Sequence, residues 1–141
     1  MQRRVKLVSG EVYHIFNKSI AGYKIFNNKK TCLRIKQMLL YYQIENVTVK
    51  FSHYISLKET QDEGFFEQFA ADHGKDNRLV QIIAYCIMPT HLHLTVKQIE
   101  DDGVSIFMGK VLNSFTRYFN SQLKRQGPLW QGKFKNVLVR T

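Results

Sequence analysis

No acidic residue follows Asp102, although Lys110, Arg117, Lys124, Arg125, Lys133, Lys135 and Arg140 all do. A C-terminal third without carboxylates cannot balance its own cations. A charge-balanced surface is excluded there, and phosphate contact is favoured over a merely solvated face. Cysteine is scarce too. Cys32 and Cys86 are too few for a disulfide framework and lack the spacing of a paired-cysteine metal site. Each falls in an apolar pattern suited to a buried free thiol, and a reducing cytoplasm is the expected home. Long apolar runs are also missing. Nowhere do about 18 uncharged apolar residues run together, and "MQRRVKLVSG" is basic without the apolar stretch of a secretory signal. No membrane anchor is expected, and no internal repeat or low-complexity run is present.

What remains is an ordinary core composition under an unusual charge. The 141 residues are 44% hydrophobic and 23% charged, which suits one folded domain. The net charge of +10 makes a polyanion, and nucleic acid first of all, the leading partner class. "EVYHIFNKSI" alternates, so Val12, His14 and Phe16 share one strand face while Tyr13 and Ile15 take the other. From Lys29 to about Gln43, Cys32, Ile35, Leu39 and Tyr42 recur at helical spacing opposite Lys29, Lys30, Arg34 and Lys36. "NVTVKFSHYISL" alternates again and predicts a second strand. The stretch from Lys58 to Arg78 is polar and loop-like, with room for a short helix in "EGFFEQFAADHG" before Gly74. "LVQIIAYCIM" and "HLHLTVKQ" are two strands' worth of residues around Pro89-Thr90, either a tight antiparallel connection or one bulged strand. A helix over about Val104 to Leu123 carries Phe107, Met108, Val111, Leu112, Phe115, Tyr118 and Phe119 on its apolar stripe. "LWQGKFKNVLV" then reads as a final strand. This order predicts an α+β, ferredoxin-like (RRM-like) fold, an antiparallel sheet with helices packed on one face and the other face free for a ligand.

The histidines of "MPTHLHLTV" bear most directly on chemistry. In a strand, His91, His93 and Thr95 point one way while Leu92, Leu94 and Val96 point the other. With the leucines on the helices, two imidazoles stand on the open face, roughly 6 to 7 Å apart at their α-carbons, within reach of one cation. Spacing alone leaves two readings open, a metal pair or a polar strand face.

Three ordered segments, "GEVYHIFNKSIAGYKIF", "YCIMPTHLHLTVKQ" and "NSFTRYFNSQLKRQGPLWQGKFKNVLV", cover nearly the whole chain. They resemble the HUH-superfamily single-tyrosine transposases, including the REP-associated tyrosine transposases. The resemblance places Met88, Pro89, Thr90, His91, Leu92 and His93 on the family's metal-binding motif, with Thr90 where asparagine is usual. It implies a metal-dependent endonuclease and strand-transfer domain of a bacterial or archaeal mobile element, cytoplasmic and nucleoid-associated. Its partner would be single-stranded or hairpin DNA. His91 and His93 would be catalytic residues holding Mg2+ or Mn2+ and orienting the scissile phosphate for attack by a tyrosine hydroxyl. A homodimer is the implied assembly.

In that family the tyrosine and the remaining metal ligand come from a helix beyond the strand matching "GKFKNVLV". The sequence stops at Thr141. Residues 1–141 are therefore expected to be one HUH domain truncated at its C-terminus, or a catalytically inactive DNA-binding module derived from such a transposase. Tyr118 is the candidate nucleophile within the chain, although an aromatic packed on the sheet is the simpler role for it. Tyr41, Tyr42, Tyr54 and Tyr85 are expected as core or half-buried residues. Arg117, Lys124, Arg125, Lys133 and Lys135 are the expected phosphate contacts. Trp130 is either a platform for an unpaired base or a buried anchor for the last strand. A ferredoxin-like RNA binder ranks last, because no RNP-type aromatic pattern is present.

Overall fold

The structure, a computed structural model, describes residues 6–140; the basic segment 1–5 and Thr141 lie outside the described residues. In chain order come β1 (Val12–Lys18), α1 (Lys29–Tyr41), α2 (Phe51–Ser56), α3 (Lys58–Glu63), α4 (Phe65–His73), β2 (Val80–Met88), β3 (His91–Gln98), α5 (Gly103–Leu123) and β4 (Lys135–Leu138). The strands form one sheet in the order β2-β3-β1-β4, and every pairing is antiparallel. This is the α+β, ferredoxin-like architecture expected from the sequence.

Alternation builds the two layers. Tyr13 and Ile15 of β1 and Leu92, Leu94 and Val96 of β3 are buried under the helices, while His14, Phe16, His91, His93 and Thr95 between them are only half-buried. The α5 stripe of Val104, Phe107, Met108, Val111, Phe115 and Phe119 covers that apolar sheet face. Its spacing keeps the side chains on one side of the helix. Helix α1 is started by Asn28, whose side chain accepts from the Thr31 amide at 2.9 Å, and it buries Ile35, Met38 and Leu39. Gly103 opens α5 where the helix start meets the Leu79 carbonyl, and any larger residue would place its Cβ against that oxygen. Gln98, fully buried, ties the same corner: it donates to the Leu7 carbonyl and accepts from the Val104 amide, both at 3.1 Å.

Several expectations need correction. Residues 47–50 are irregular and 51–56 are helical, so no strand forms from "NVTVKFSHYISL". Phe51 and Tyr54, three apart, both bury against the Tyr41 ring, at 5.6 and 4.9 Å between centroids, and the Phe51 amide donates to the Tyr42 hydroxyl at 3.2 Å. A one-sided aromatic contact suits a helical turn and overrides the local alternation. The stretch from Lys58 to Arg78 carries the short helix allowed before Gly74, as α4 with Phe65 and Phe69 stacked at 5.5 Å, but its loop-like remainder begins with a further helix, α3. Finally, Cys86 is exposed and Cys32 half-buried, not two buried thiols. β2 is an edge strand, and Cys86 pairs with His93 on the uncovered face.

Pro89-Thr90 makes a tight connection between β2 and β3, and its backbone is anchored. The Pro89 carbonyl accepts from the amides of Ile25 and Phe26 at 2.9 and 3.1 Å, and the Thr90 carbonyl accepts from Ser19 at 3.0 Å. The start of β3, and with it His91, is therefore fixed to the body of the protein. The last strand is shorter than expected, Lys135–Leu138, because the chain before it turns Trp130 back toward α5.

Candidate metal and nucleic-acid site

Directly paired residues of an antiparallel sheet share a face, so the register gives the layout of the open side. One row runs Lys18, His91, Met88; the next runs Lys135, Phe16, His93, Cys86; the third runs Val137, His14, Thr95, Ala84. His91 and His93 thus stand on adjacent rows with ring centroids 6.0 Å apart. Phe16 stacks on His93 at 5.7 Å with a 14° interplanar angle, which holds that ring upright.

Each imidazole also has one nitrogen engaged. His91 Nδ1 shares a hydrogen bond with Thr90 Oγ1 at 3.0 Å, and His93 Nδ1 shares one with His14 Nε2 at 3.2 Å. If both Nδ1–H groups donate, the two Nε2 lone pairs are free, the tautomer that outer partners impose on metal-binding histidines. The Thr90 hydroxyl can thus orient His91 in the place where the resembled family has asparagine. Burial, then the neighbouring His14 and His91, lowers the His93 pKa below the usual histidine range. A neutral ring is the form that ligates metal.

The donor set fits a two-imidazole metal site. Nitrogen donors suit Mn2+ better than Mg2+, which prefers oxygen and water. Among the described residues no group of three or more His, Cys, Asp or Glu is arranged to hold a metal ion. His14 is near, yet its Nε2 is spent on His93.

Beside the imidazoles lies a groove of about 880 Å³ lined by Phe16, Lys18, His91, His93, Lys133 and Lys135. Among the described residues neither a carboxylate nor a tyrosine lines it. Three ammonium groups and no carboxylate set a positive potential at the mouth of the histidine pair.

The other sequence-selected residues lie elsewhere. Arg117 and Tyr118 are on α5, in a groove on the helical side of the sheet, and Tyr118 packs its ring under the Arg34 guanidinium at 4.4 Å. Lys124 ends α5 in a left-handed conformation (φ 50°) and is exposed. Arg125 is used locally: it donates to Asn120 Oδ1 at 2.9 Å and to the Gly127 and Pro128 carbonyls at 3.2 and 2.6 Å. Trp130 donates from Nε1 to the Leu112 carbonyl at 3.3 Å and lies half-buried against Phe26 and Phe115, an anchor's position. Of the proposed phosphate contacts, only Lys133 and Lys135 join the histidines. His14, Phe16 and Lys18 complete the site, although sequence reasoning did not select them. Their signal was the period-two spacing that puts them on one face of β1; what it lacked was the register that sets that face beside His93.

No protein-family model and no curated protein matches the chain. Solved structures do. A REP-associated tyrosine transposase bound to a REP hairpin superposes with a TM-score of 0.53 at 12% identity, over 100% of this chain and 62% of that one. A Deinococcus radiodurans R1 protein described as a transposase superposes with a TM-score of 0.53 at 14% identity, over 99% of this chain and 87% of its own. The chain spans 62% of the length of the REP-associated protein. At such identities the likeness is one of fold. The chain therefore shares its fold with these two solved structures along nearly its whole length.

Proposed function

We propose that the chain is a single HUH-type domain that takes single-stranded or hairpin-flanked DNA along its open sheet face. There it would serve the cutting and rejoining of a transposase. The observation that carries this reading is the convergence of His91 and His93 with Lys18, Lys133 and Lys135 on one groove that no carboxylate lines among the described residues. The lysines would bind backbone phosphates, which gives affinity and register without sequence choice. Phe16, packed beside His93, would offer an aromatic surface to an unpaired base. His91 and His93 are the residues that would hold a divalent ion, Mg2+ or Mn2+, with His14 and Thr90 orienting them. Such an ion, when bound, polarises a phosphodiester and stabilises charge building on its oxygens.

One observation favours a second reading, a catalytically inactive DNA-binding module. No tyrosine among the described residues lines the histidine groove, and Tyr118 lies across the sheet from it. Both readings require DNA on the open face, and they part on chemistry. The test is incubation with hairpin-bearing single-stranded DNA plus Mn2+, read by fluorescence anisotropy for binding and by denaturing gel for cleavage. Binding with cleavage supports the endonuclease, and binding without it supports the module. Failure to bind DNA, or binding unaffected by Lys133→Gln and Lys135→Gln together, would refute both.

A further inference from the structure

We infer that the groove between α1 and α5, on the opposite side of the molecule from the histidines, is a second anion site built for clustered phosphate groups. The groove measures about 740 Å³ and is lined by Lys30, Arg34, Lys50, Lys110 and Arg117, with no carboxylate among its lining residues. These cations come from α1, from the connection before α2 and from α5. Their convergence is therefore made by tertiary packing and is more than the solvated face of one helix.

Arg34 is the centre of the site. Its guanidinium carbon lies 4.8 Å from the Phe51 ring centre and 4.4 Å from that of Tyr118, so two aromatic rings fix its orientation. Its Nε is buried without a hydrogen-bond partner, and among the described residues no ion pair engages it. A buried donor left unmatched carries a desolvation cost, and no acceptor among the described residues offsets it. Burial also lowers the Arg34 pKa, with Tyr118 and Tyr42 opposing that shift. The surroundings are prearranged: Lys30 donates to Gln122 Oε1 at 3.2 Å across the two helices, a neutral partner that leaves its charge available. Tyr42 joins Ser114 at 3.2 Å and so braces α1 against α5.

The ligand class follows from these details. Five cations with no counter-charge suit several phosphates, and the recess of Arg34 favours a group that can enter the groove. Phe51 and Tyr118 already turn ring faces to Arg34, which favours phosphate over base recognition. Clustered phosphates have two sources, a free nucleotide or polyphosphate and the backbone of a DNA strand. No residue lines both this groove and the histidine groove, so the two sites can fail independently.

The experiment is calorimetric titration of the full chain with sodium tripolyphosphate. Arg34→Met, which keeps the stem between the rings, and the pair Lys110→Gln with Arg117→Gln should each weaken binding by roughly tenfold or more. Lys133→Gln with Lys135→Gln should leave it unchanged. Thermal melting by circular dichroism checks the fold, and the Lys110/Arg117 pair carries the test if Arg34→Met melts early. The idea is overturned if the parent protein does not bind, if the groove variants bind like the parent, or if the Lys133/Lys135 pair weakens binding equally. Competition then separates the sources. Displacement by ATP but not by single-stranded DNA of about 12 nucleotides identifies a free nucleotide, and displacement by the DNA identifies a backbone.

Discussion

Replacing His14 by leucine removes the partner of His93 while leaving both proposed metal ligands in place. The contact at stake is the 3.2 Å link between His14 Nε2 and His93 Nδ1, half-buried between β1 and β3. A hydrogen bond of this kind contributes about 1 kcal/mol, a factor of about 5 in an equilibrium constant. Losing it also frees the tautomer and the rotation of His93, and outer partners of metal-binding histidines are commonly worth about 10- to 100-fold in affinity. His14→Leu should therefore weaken Mn2+ binding by about 5- to 100-fold, short of the loss in His91→Ala or His93→Ala. Free Mn2+ can be counted by its solution EPR signal during titration at constant pH, with Lys135→Gln as a control for general electrostatics. A His14→Leu protein that binds Mn2+ as tightly as the parent would refute the orientation reasoning. So would a His91→Ala protein that binds as tightly as the parent.

Phe107 is fully buried on α5, and Phe107→Ala should cost about 3–5 kcal/mol, read as a lower urea midpoint. Gln98→Leu leaves the Leu7 carbonyl and the Val104 amide without their partner, so a loss of about 2–4 kcal/mol is expected in the same assay, whereas near-neutrality would deny Gln98 its role at that corner. Burial, with a smaller contribution from Tyr42, raises the Tyr41 pKa to about 12, and burial with the Asp72 hydrogen bond raises that of Tyr54 as well. Because the folded-state values lie above the unfolded one near 10, this contribution is full below about pH 10 and is lost as pH rises toward 12. The urea midpoint should fall across that window, and a flat profile would contradict it. His91→Ala with His93→Ala should remove any Mn2+ dependence yet keep most of the DNA affinity, since lysines supply the phosphate contacts; equal loss of both in anisotropy would count against that division.

Much of this architecture was legible in the sequence because its periods are clean. Tyr13 and Ile15 alternate with His14 and Phe16, Leu92, Leu94 and Val96 alternate with His91, His93 and Thr95, and α5 repeats apolar residues every three or four positions. Reading failed where tertiary contact outvoted local pattern. Val47, Val49 and Phe51 alternate like a strand, yet Phe51 and Tyr54 meet Tyr41 through a helical turn. The open-face orientation of His91 and His93 followed from the strand alone. The bond between His14 and His93 did not, because it depends on the β1–β3 register, which pairs His14 with Thr95 and Phe16 with His93. Residue type was equally silent on the use of each cation. Arg125 serves a turn, Arg117 faces the helical groove, and Lys133 and Lys135 join the histidines.

Pulsed EPR of the Mn2+-loaded protein looks straight at the paired imidazoles. Two histidine nitrogens should couple to the ion in the parent chain, and one coupling should vanish in His91→Ala and the other in His93→Ala. A bound Mn2+ with no nitrogen coupling, or one whose couplings survive both substitutions, would contradict a metal held on the open face of this sheet.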